Sequence, residues 1–207
     1  MKKTLLLIGG GGHCRSCIDV IESNPLFSIA GVVDSISPLG GMVLGYPVVG
    51  SDECLNELLH VNPNVLITVG QVKSYQSRVR LYDLLHSLGA VLPSVFSANA
   101  IVSRHATIGD GVIVMHNAIV NAGAKLGSNC IVNSQALVEH DVEIADHCHV
   151  STGAKINGGV TVGACTFIGS GTIVREGVKI GERVVIGAGQ TVLKDIPSDT
   201  SVRYSNG

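Results

Sequence analysis

The chain has few charged residues and no long apolar segment, and both shortages limit what it can bind. Only 14% of its 207 residues are charged and the formal net charge is −2. The sequence therefore lacks the basic surface that attracts nucleic acids or anionic membranes. The apolar run after Lys3 starts like a signal peptide, but it is short and ends in glycines. Since no stretch approaches the roughly 18 to 20 apolar residues that span a bilayer, we expect no nucleic-acid partner and no membrane insertion.

The six cysteines lack the paired spacing of a zinc site. We expect reduced thiols and no metal centre, which places the protein in the cytoplasm. Cys14 and Cys17 form a CxxC sequence, but the expected setting is a helix after a glycine turn, so helix packing is favoured over a redox or metal role.

A strict six-residue repeat occupies the second half of the chain. The following aliphatic residues return at every sixth position: Val102, Ile108, Val114, Val120, Leu126, Val132, Val138, Ile144, Val150, Ile156, Val162, Ile168, Val174, Ile180, Ile186 and Val192. This period is neither that of a helix nor that of a long alternating strand, and it indicates the hexapeptide pattern of a parallel β-helix. Three hexads make one coil, so the repeat predicts about five coils stacked roughly 4.8 Å apart.

The repeat also predicts which side chains face inward. Side chains alternate along a strand, so each sixth-position aliphatic shares a narrow core with the mostly small residue two positions before it. Cys130 and Cys148 both occupy this small position, and we expect them to stack in successive coils as core residues. The repeat leaves the handedness of the coil open, since the general crossover rule favours right-handed connections.

The first 93 residues alternate predicted strands and helices. We expect strands over Lys3–Ile8, 29–33, 64–69 and 90–92. We expect helices from after His13 to about Ser23, from Ser51 onward and over 72–88, and a short edge-like segment at Tyr46–Gly50. This alternation predicts a small parallel sheet with helices on its faces in residues 1–93. A junction at 93–98 then leads into the β-helix, which we expect over residues 94–207.

A glycine-rich turn follows the first predicted strand. Gly9-Gly10-Gly11-Gly12-His13 precedes a helix, and such a turn lets backbone N–H groups approach a phosphate. The dinucleotide pattern GxGxxG is broken at Cys14, which weakens an NAD interpretation and leaves a mononucleotide or nucleotide-sugar one. Asp34 follows the second predicted strand, where an acidic residue can bind a ribose hydroxyl or a base edge. Gly70 lies at the carboxyl end of another strand, beside the Gly9–His13 loop, where such sheets bind ligands. The alternative is a glycine turn that only packs the helix on the strand.

Five of the eight histidines fall inside the repeat. All five occupy corner or outward positions, so none is needed for the core, and we interpret His105, His116 and His147 as surface residues. His140 differs, because the sequence Glu139-His140-Asp141 places carboxylates beside its imidazole. A carboxylate partner fixes the tautomer of an imidazole and raises its basicity.

Three segments together carry a resemblance to a known family. The Gly-Gly-His loop, the Glu-His-Asp turn and the segment His-Val-Ser-Thr-Gly-Ala from His149 to Ala154, followed by further hexads, resemble hexapeptide-repeat sugar acetyltransferases of bacteria. The family includes the bacillosamine-pathway N-acetyltransferases and the sialic acid O-acetyltransferases. The resemblance covers nearly the whole chain. It implies a Rossmann-like α/β domain followed by a left-handed parallel β-helix, acetyl-CoA and a UDP-linked amino sugar as substrates, and a homotrimer.

The resemblance also implies roles for residues of the repeat. His140 becomes the general base, and Asp141 becomes the acid that increases its basicity. His149 lies at the thioester of acetyl-CoA, with Ser170 and Ala188 along the pantetheine.

In the first domain, the resemblance implies that Gly11, Gly12 and His13 contact the phosphates of the sugar nucleotide. Asp34 and Ser35 then meet the uracil end. The chain departs from the family pattern at its end: family members usually finish with Gly-x-Pro-Ala, whereas residues 201–207 read Ser-Val-Arg-Tyr-Ser-Asn-Gly. The resemblance places the far end of the CoA site at this segment, where the sequence differs from the family pattern.

The implied chemistry is acetyl transfer without a metal. A sugar amine attacks the thioester carbonyl, the base removes its proton, and N–H donors hold the oxyanion. His140 and His149 are nine residues apart, which is one and a half sides of a triangular coil, so we expect the site to form between neighbouring chains. Two alternatives stay open: an O-acetyltransferase that acts on sialic acid, and a non-catalytic scaffold that binds nucleotide sugars.

Overall fold

The computed structural model describes residues 2–72 and 74–203. They form two compact units, Met1–Ala98 and Asn99–Gly207. None of the helices within the described ranges is both long enough and apolar enough to cross a membrane.

The first unit is built around a five-stranded sheet. Its strands are β1 (Lys3–Ile8), β2 (Phe27–Val33), β3 (Met42–Val43), β4 (Tyr46–Gly50) and β5 (Val65–Ile67), and a short strand β6 (Val95–Phe96) lies near its end. Its helices are α1 (Gly12–Ser23), α2 (Leu55–Val61) and α3 (Gln76–Ser87), with a 3-10 turn at Asp52–Cys54. The sheet order is β3-β4-β2-β1-β5, and the pairs are parallel except for the β3–β4 hairpin.

Apolar strands hold this sheet between its helices. Residues 5–8 of β1 and all of β5 are buried, as expected for parallel strands that are covered on both faces. The helix α1 buries Cys14 and Cys17 together with three aliphatic residues, so these cysteines pack in the core. Because β1, β2 and β5 are parallel, their carboxyl ends meet at one edge, and the loops that follow them lie there together.

Several boundaries differ from the sequence prediction. The helix predicted over 72–88 begins only at Gln76, and the strand predicted over 90–92 is a single bridge between Asn64 and Val91. Ser51 makes no side-chain cap, and the chain after it forms a 3-10 turn before α2. The segment Tyr46–Gly50 is not an edge strand, because β3 pairs with its outer side.

The second unit is a prism of two-residue strands arranged in three parallel sheets. Sheet I contains β7 (Ile101–Val102), β10 (Ile119–Val120), β13 (Leu137–Val138), β16 (Lys155–Ile156), β19 (Ile173–Val174) and β22 (Thr191–Val192). Sheet II contains β8 (Thr107–Ile108), β11 (Lys125–Leu126), β14 (Glu143–Ile144), β17 (Thr161–Val162) and β20 (Lys179–Ile180). Sheet III includes β9 (Ile113–Val114), β12 (Ile131–Val132), β15 (His149–Val150), β18 (Phe167–Ile168), β21 (Val185–Ile186) and β23 (Ser201–Val202).

The strand register confirms coils of 18 residues. Leu137 pairs with Ile119 in the coil before it and with Lys155 in the coil after it. The sixth-position aliphatics are buried from residue 114 to residue 192, whereas Val102 and Ile108 are half-buried. These two lie in the first coil, which has a neighbouring coil on one side only.

The inward cysteines stack as the repeat predicts. Cys130 and Cys148 are free thiols, both buried, and the backbone N–H of Cys148 lies 3.4 Å from Cys130 Sγ. Each thiol donates to a backbone carbonyl 15 residues later, to Ala145 at 3.2 Å and to Gly163 at 3.1 Å. Burial raises the pKa of the Cys148 thiol, which disfavours the reactive thiolate. The two cysteines therefore serve as packed core residues.

The corners of the prism each turn on one residue in the left-handed region. From residue 111 to residue 189 this residue comes three positions after an inward aliphatic, with φ between 54° and 76°. Glycine and asparagine suit this conformation best, and they hold most of these positions. Asp141 holds one of them with φ 58°. The backbone conformation of the corner therefore sets the position from which the Asp141 side chain extends.

Candidate functional site

The carboxyl ends of β1, β2 and β5 surround a cavity of about 540 Å³ in the first unit. This glycine-loop cavity is lined by Gly9, Gly10, Gly11, Gly12, His13, Asp34, Ile36, Thr68, Val69, Gly70 and Val72. A smaller cavity of about 170 Å³ shares part of this lining and adds Ser35, Asp52 and Arg80. Five of the six residues predicted to bind the substrate thus line one cavity, and Ser35 lines the one that adjoins it.

The glycines of the loop are not all required by the fold. Gly9 has φ 106°, and a Cβ added there would lie 2.4 Å from the Val69 side chain. At Gly11 and Gly12, by contrast, an added Cβ would meet nothing within 4 Å. Gly11 precedes α1 and provides no side-chain cap, so the amino end of this helix is open toward an anion. A turn that only packed the helix on the strand would not need glycine at both positions.

Asp34 is held in place by the loop that follows it. Its Oδ2 accepts hydrogen bonds from the Ser37 backbone N–H at 3.0 Å and from the Ser37 hydroxyl at 2.5 Å. Burial acts to raise the pKa of Asp34, but these bonds and those from the Gly10 and Ile36 backbone outweigh it and lower the pKa. Asp34 is therefore an ionised acceptor fixed at the mouth of the glycine-loop cavity.

The smaller cavity brings in two residues that the sequence did not single out. Arg80 of α3 and Asp52 of the 3-10 turn form an ion pair, with Nη2 and Oδ2 3.2 Å apart. They are 28 residues apart in the chain, and no local motif joins them, so only the tertiary structure shows that they share a cavity.

In the prism, His140 and Asp141 form an exposed pair at the corner between sheets I and II. Nδ1 of His140 lies 2.9 Å from Oδ2 of Asp141, and the two side chains are 66% and 74% exposed. The hydrogen bond to Asp141 raises the pKa of His140; desolvation opposes this shift, and the charges of Asp141 and Glu139 add to it. With Nδ1 bonded to the carboxylate, Nε2 is the nitrogen that can accept a proton from a reacting group.

Neighbouring coils position this pair. Glu139 Oε2 accepts hydrogen bonds from the His140 backbone N–H at 3.1 Å and from Asn121 Nδ2 at 2.9 Å. A Cβ added to Gly158 would lie 2.7 Å from the His140 ring, so glycine there leaves room for the imidazole. Asn121 and Gly158 were not among the predicted site residues. Both lie one coil, or 18 residues, from the residue that they support, and this spacing is the signal that could have found them.

His149 corrects one sequence prediction. All five histidines of the repeat were expected to be solvent-facing, but His149 is only 3% exposed. Its Nε2 lies 3.1 Å from Asn133 Nδ2, and its ring meets Phe167 edge to face with centroids 5.2 Å apart. His149 does point outward from β15, but the aromatic ring in the next coil covers it.

The remaining residues predicted to contact the cofactor lie beside His149. Ser170 and Ala188 are exposed and occupy successive coils at the corner between sheets III and I. The Ser170 hydroxyl lies 2.9 Å from that of Ser151. We call His149, Ser170 and Ala188 the cofactor strip. His149 lies on sheet III, and Ser170 and Ala188 lie at the corner where sheet III meets sheet I, whereas His140 lies at the corner between sheets I and II. Within one chain the base and the cofactor strip therefore lie on different sides of the prism.

The atypical chain end is only partly described. Ser201 and Val202 form β23, which pairs with β21, and Arg203 Nε donates to the Ser201 hydroxyl at 3.0 Å. Residues 204–207 lie outside the described residues. They belong to the segment 201–207, whose sequence differs from the family pattern. Within residues 2–72 and 74–203, no three His, Cys, Asp or Glu side chains gather as a metal site would require.

Comparison with known families covers both units. Residues 4–83 match the family described as PglD N-terminal domain. Residues 105–140 and 159–192 match the family described as bacterial transferase hexapeptide (six repeats), which confirms the left-handed β-helix. The comparison with curated proteins gives no match.

Solved structures match the chain over nearly its full length. Perosamine N-acetyltransferase from Caulobacter crescentus, solved as a His-to-Asn variant with CoA and GDP-perosamine, is 31% identical, with a TM-score of 0.90 over 96% of this chain and 93% of its own. The acetyltransferase domain of PglB from Neisseria gonorrhoeae, solved with acetyl coenzyme A, is 31% identical, with a TM-score of 0.90 over 97% of this chain and 96% of its own.

A third solved structure shows the same fold at lower identity. WeeI from Acinetobacter baumannii is 22% identical, with a TM-score of 0.82 over 95% of this chain and 94% of its own. The two closer matches combine 31% identity with coverage of nearly both whole chains. A shared short motif would not extend over that length. The chain therefore belongs to the hexapeptide-repeat sugar N-acetyltransferases of the bacillosamine-pathway type.

Proposed function

We propose that this chain transfers the acetyl group of acetyl-CoA to the amino group of a UDP-linked amino sugar, with His140 as the general base. The observation that carries the proposal is the pair of His140 and Asp141, joined at 2.9 Å on an exposed corner. A histidine variant of the Caulobacter enzyme was solved with CoA and GDP-perosamine together, which supports a nucleotide-linked amino sugar as the acceptor.

The reaction needs one proton acceptor and no metal. The sugar amine attacks the thioester carbonyl, and Nε2 of His140 takes the proton that the amine loses. The C–S bond then breaks, and the CoA thiolate that leaves becomes the thiol with the proton that the imidazolium releases, which restores the neutral base. Asp141 stabilises the imidazolium that forms, because its carboxylate already holds Nδ1. A general base contributes on the order of 10² to 10⁴ in rate.

The glycine-loop cavity is the proposed place of the nucleotide. Gly11, Gly12 and His13 meet the phosphates, since the space beside the two glycines is open. Asp34 and Ser35 meet the nucleoside, because an ionised, fixed carboxylate accepts hydroxyl or N–H donors.

The acetyl-CoA site is proposed to form between chains of a homotrimer. His140 and the cofactor strip lie on different sides of the prism, so the thioester held by one chain reaches the base of the next. The outward face of sheet I carries the exposed apolar residues Ile101 and Ile173, which supports a contact between prisms. A threefold ring closes such a head-to-tail contact. The free cysteines support a cytoplasmic setting.

The test is acetyl-CoA consumption against a panel of UDP-amino sugars, GDP-amino sugars and sialic acids. We expect turnover with a UDP-amino sugar and a product heavier by one acetyl group. The matched control is the same sugar nucleotide with a hydroxyl in place of the amine, which should give no product. Turnover only with GDP-amino sugars would show that the nucleotide carries guanine and not uracil. Turnover with sialic acid would show O-acetylation in place of N-acetylation. No consumption with any acceptor would favour a binding scaffold.

A further inference from the structure

Arg78 is the largest fully buried side chain in the chain's described part, and the site above leaves it without a role. It lies in the first turn of α3, beside the end of β5. A guanidinium loses much of its hydration when it is buried, so it is kept in such a place only where its donors find partners.

The guanidinium of Arg78 binds the end of β5. Its Nη1 donates to the backbone carbonyls of Ile67 at 3.0 Å and of Val69 at 2.7 Å. The N–H of Thr68, between them, points the other way and donates to the Ile8 carbonyl of β1. Since β5 is an edge strand of its sheet, the carbonyls of residues 67 and 69 face outward, and Arg78 satisfies both.

The residues that end β5 also form one wall of the glycine-loop cavity. This wall consists of Thr68, Val69 and Gly70. The Thr68 hydroxyl donates to the Gly9 carbonyl at 2.6 Å. A Cβ at Gly9 would lie 2.4 Å from Val69, and one at Gly70 would lie 3.3 Å from His13. The wall and the glycine loop are therefore in close contact, and a shift of the wall displaces the loop.

We infer that Arg78 is a positioning residue for the sugar nucleotide: it fixes the wall and thereby keeps the glycine loop in the shape that receives the diphosphate. This role rests on the nucleotide site of the proposed function. Arg78 is fully buried and does not line the cavity, so it acts through Val69, whose carbonyl it binds, and not by touching the substrate. Lysine would restore the charge and a donor but not the planar guanidinium, so it should replace arginine only in part.

The test compares Arg78→Met and Arg78→Lys with the wild-type protein. Calorimetry measures the affinities for UDP, GDP and acetyl-CoA, and hydrogen exchange follows the backbone amides of the wall and the glycine loop. We expect Arg78→Met to weaken nucleotide binding by on the order of tenfold or more and to speed exchange in both segments, with acetyl-CoA affinity unchanged. Arg78→Lys should recover part of each loss.

The matched control is Leu85→Ala, which removes a fully buried side chain from the same helix. It should lower the unfolding temperature while nucleotide affinity and exchange at the wall stay near wild type. Wild-type exchange at the wall in both Arg78 variants would overturn the inference. So would an even acceleration across the first unit, as general destabilisation would produce.

The nucleotide measurements separate the inference from the proposed function. Unchanged nucleotide affinity in Arg78→Met, beside normal wild-type binding, would overturn the role of Arg78 alone. A wild-type protein that binds neither UDP nor GDP would overturn the nucleotide site and with it the role of Arg78 in binding. If Arg78→Met does not fold, Arg78→Lys gives the same comparison with a smaller expected effect.

Discussion

His140 is the proposed general base, and the fold does not need its side chain. Its side chain is 66% exposed, so His140→Ala should leave the structure unchanged and lower turnover by a factor on the order of 10² to 10⁴. Steady-state kinetics with circular dichroism checks both parts. His105→Ala is the matched control, because His105 is an exposed histidine at the same corner of an earlier coil. Full turnover of His140→Ala with saturating substrates would remove this residue from the mechanism.

Asp141 should set the pH at which the enzyme becomes active. Only the neutral imidazole is a base, and the bond to Asp141 raises the pKa of His140, so the inactive protonated form persists to higher pH. Activity should therefore rise as pH increases through this raised pKa. In Asp141→Asn the midpoint of the kcat/KM profile should move to lower pH, and the plateau should fall because the base is weaker. A midpoint that stays in place would assign the titration to another group.

Sequence reasoning predicted the contact of His140 with Asp141 because the two are adjacent in the chain. It did not predict the burial of His149. Strand alternation gives the direction of a side chain, and His149 does point outward from β15, but alternation does not tell what covers it. Here the cover is Phe167, one coil away. Residue contacts across coils become predictable only when the 18-residue spacing is applied to the outward positions as well.

Among the elements, the glycine loop before α1 offers a direct test of the nucleotide site. A Cβ added at Gly12 meets nothing within 4 Å, so we expect Gly12→Val to fit the fold and to project into space proposed for the phosphates. We expect UDP or GDP affinity to fall by on the order of tenfold or more, with acetyl-CoA affinity unchanged, both measured by calorimetry.

The contrasting variant in the same loop is Gly9→Val. Its backbone has φ 106°, and the new side chain collides with Val69, so this variant should lose folding stability and both ligands together. If Gly12→Val behaved like Gly9→Val, the loss would be a folding defect and the nucleotide would remain unplaced.

The accuracy of the element predictions follows the strength of each local signal. The strand β1 has the predicted ends, because its apolar run stops at a glycine turn. The β3–β4 hairpin was missed. It turns on Leu44 and Gly45, both with positive φ, whereas the usual sequence signal is Asn-Gly or Asp-Gly. The segment 90–92 forms a single bridge, since three residues of strand propensity do not by themselves create a pairing partner.

For the whole molecule, the six-residue period predicted the prism, because each hexad specifies its own strand, corner and inward side chain. The period does not specify which sides of the prism meet another chain. The period does show that His140 and the cofactor strip lie on different sides of the prism. Whether neighbouring chains complete the site is therefore a question of assembly, which experiments on mixed oligomers test.

The intersubunit site predicts that two inactive chains can complement each other. If one chain supplies His140 and its neighbour supplies His149, then co-expressed His140→Ala and His149→Asn chains form mixed trimers in which one of three interfaces pairs two intact residues. Each mixed trimer should then have roughly one third of wild-type activity, while each parent alone is poor. Asparagine is used at position 149 because this side chain is buried beside Asn133, and a polar replacement disturbs that contact least.

Native mass spectrometry must first establish that mixed trimers formed, because complementation depends on the chains assembling together. The activity of the mixed fraction is then compared with the mean of the two parents measured at the same protein concentration. Activity above that mean requires residues from two chains in one site, since no chain in the mixture carries both histidines. Mixed trimers with no activity above the mean would place both histidines in the site of one chain, or exclude one of them from catalysis, and the intersubunit arrangement would then be wrong.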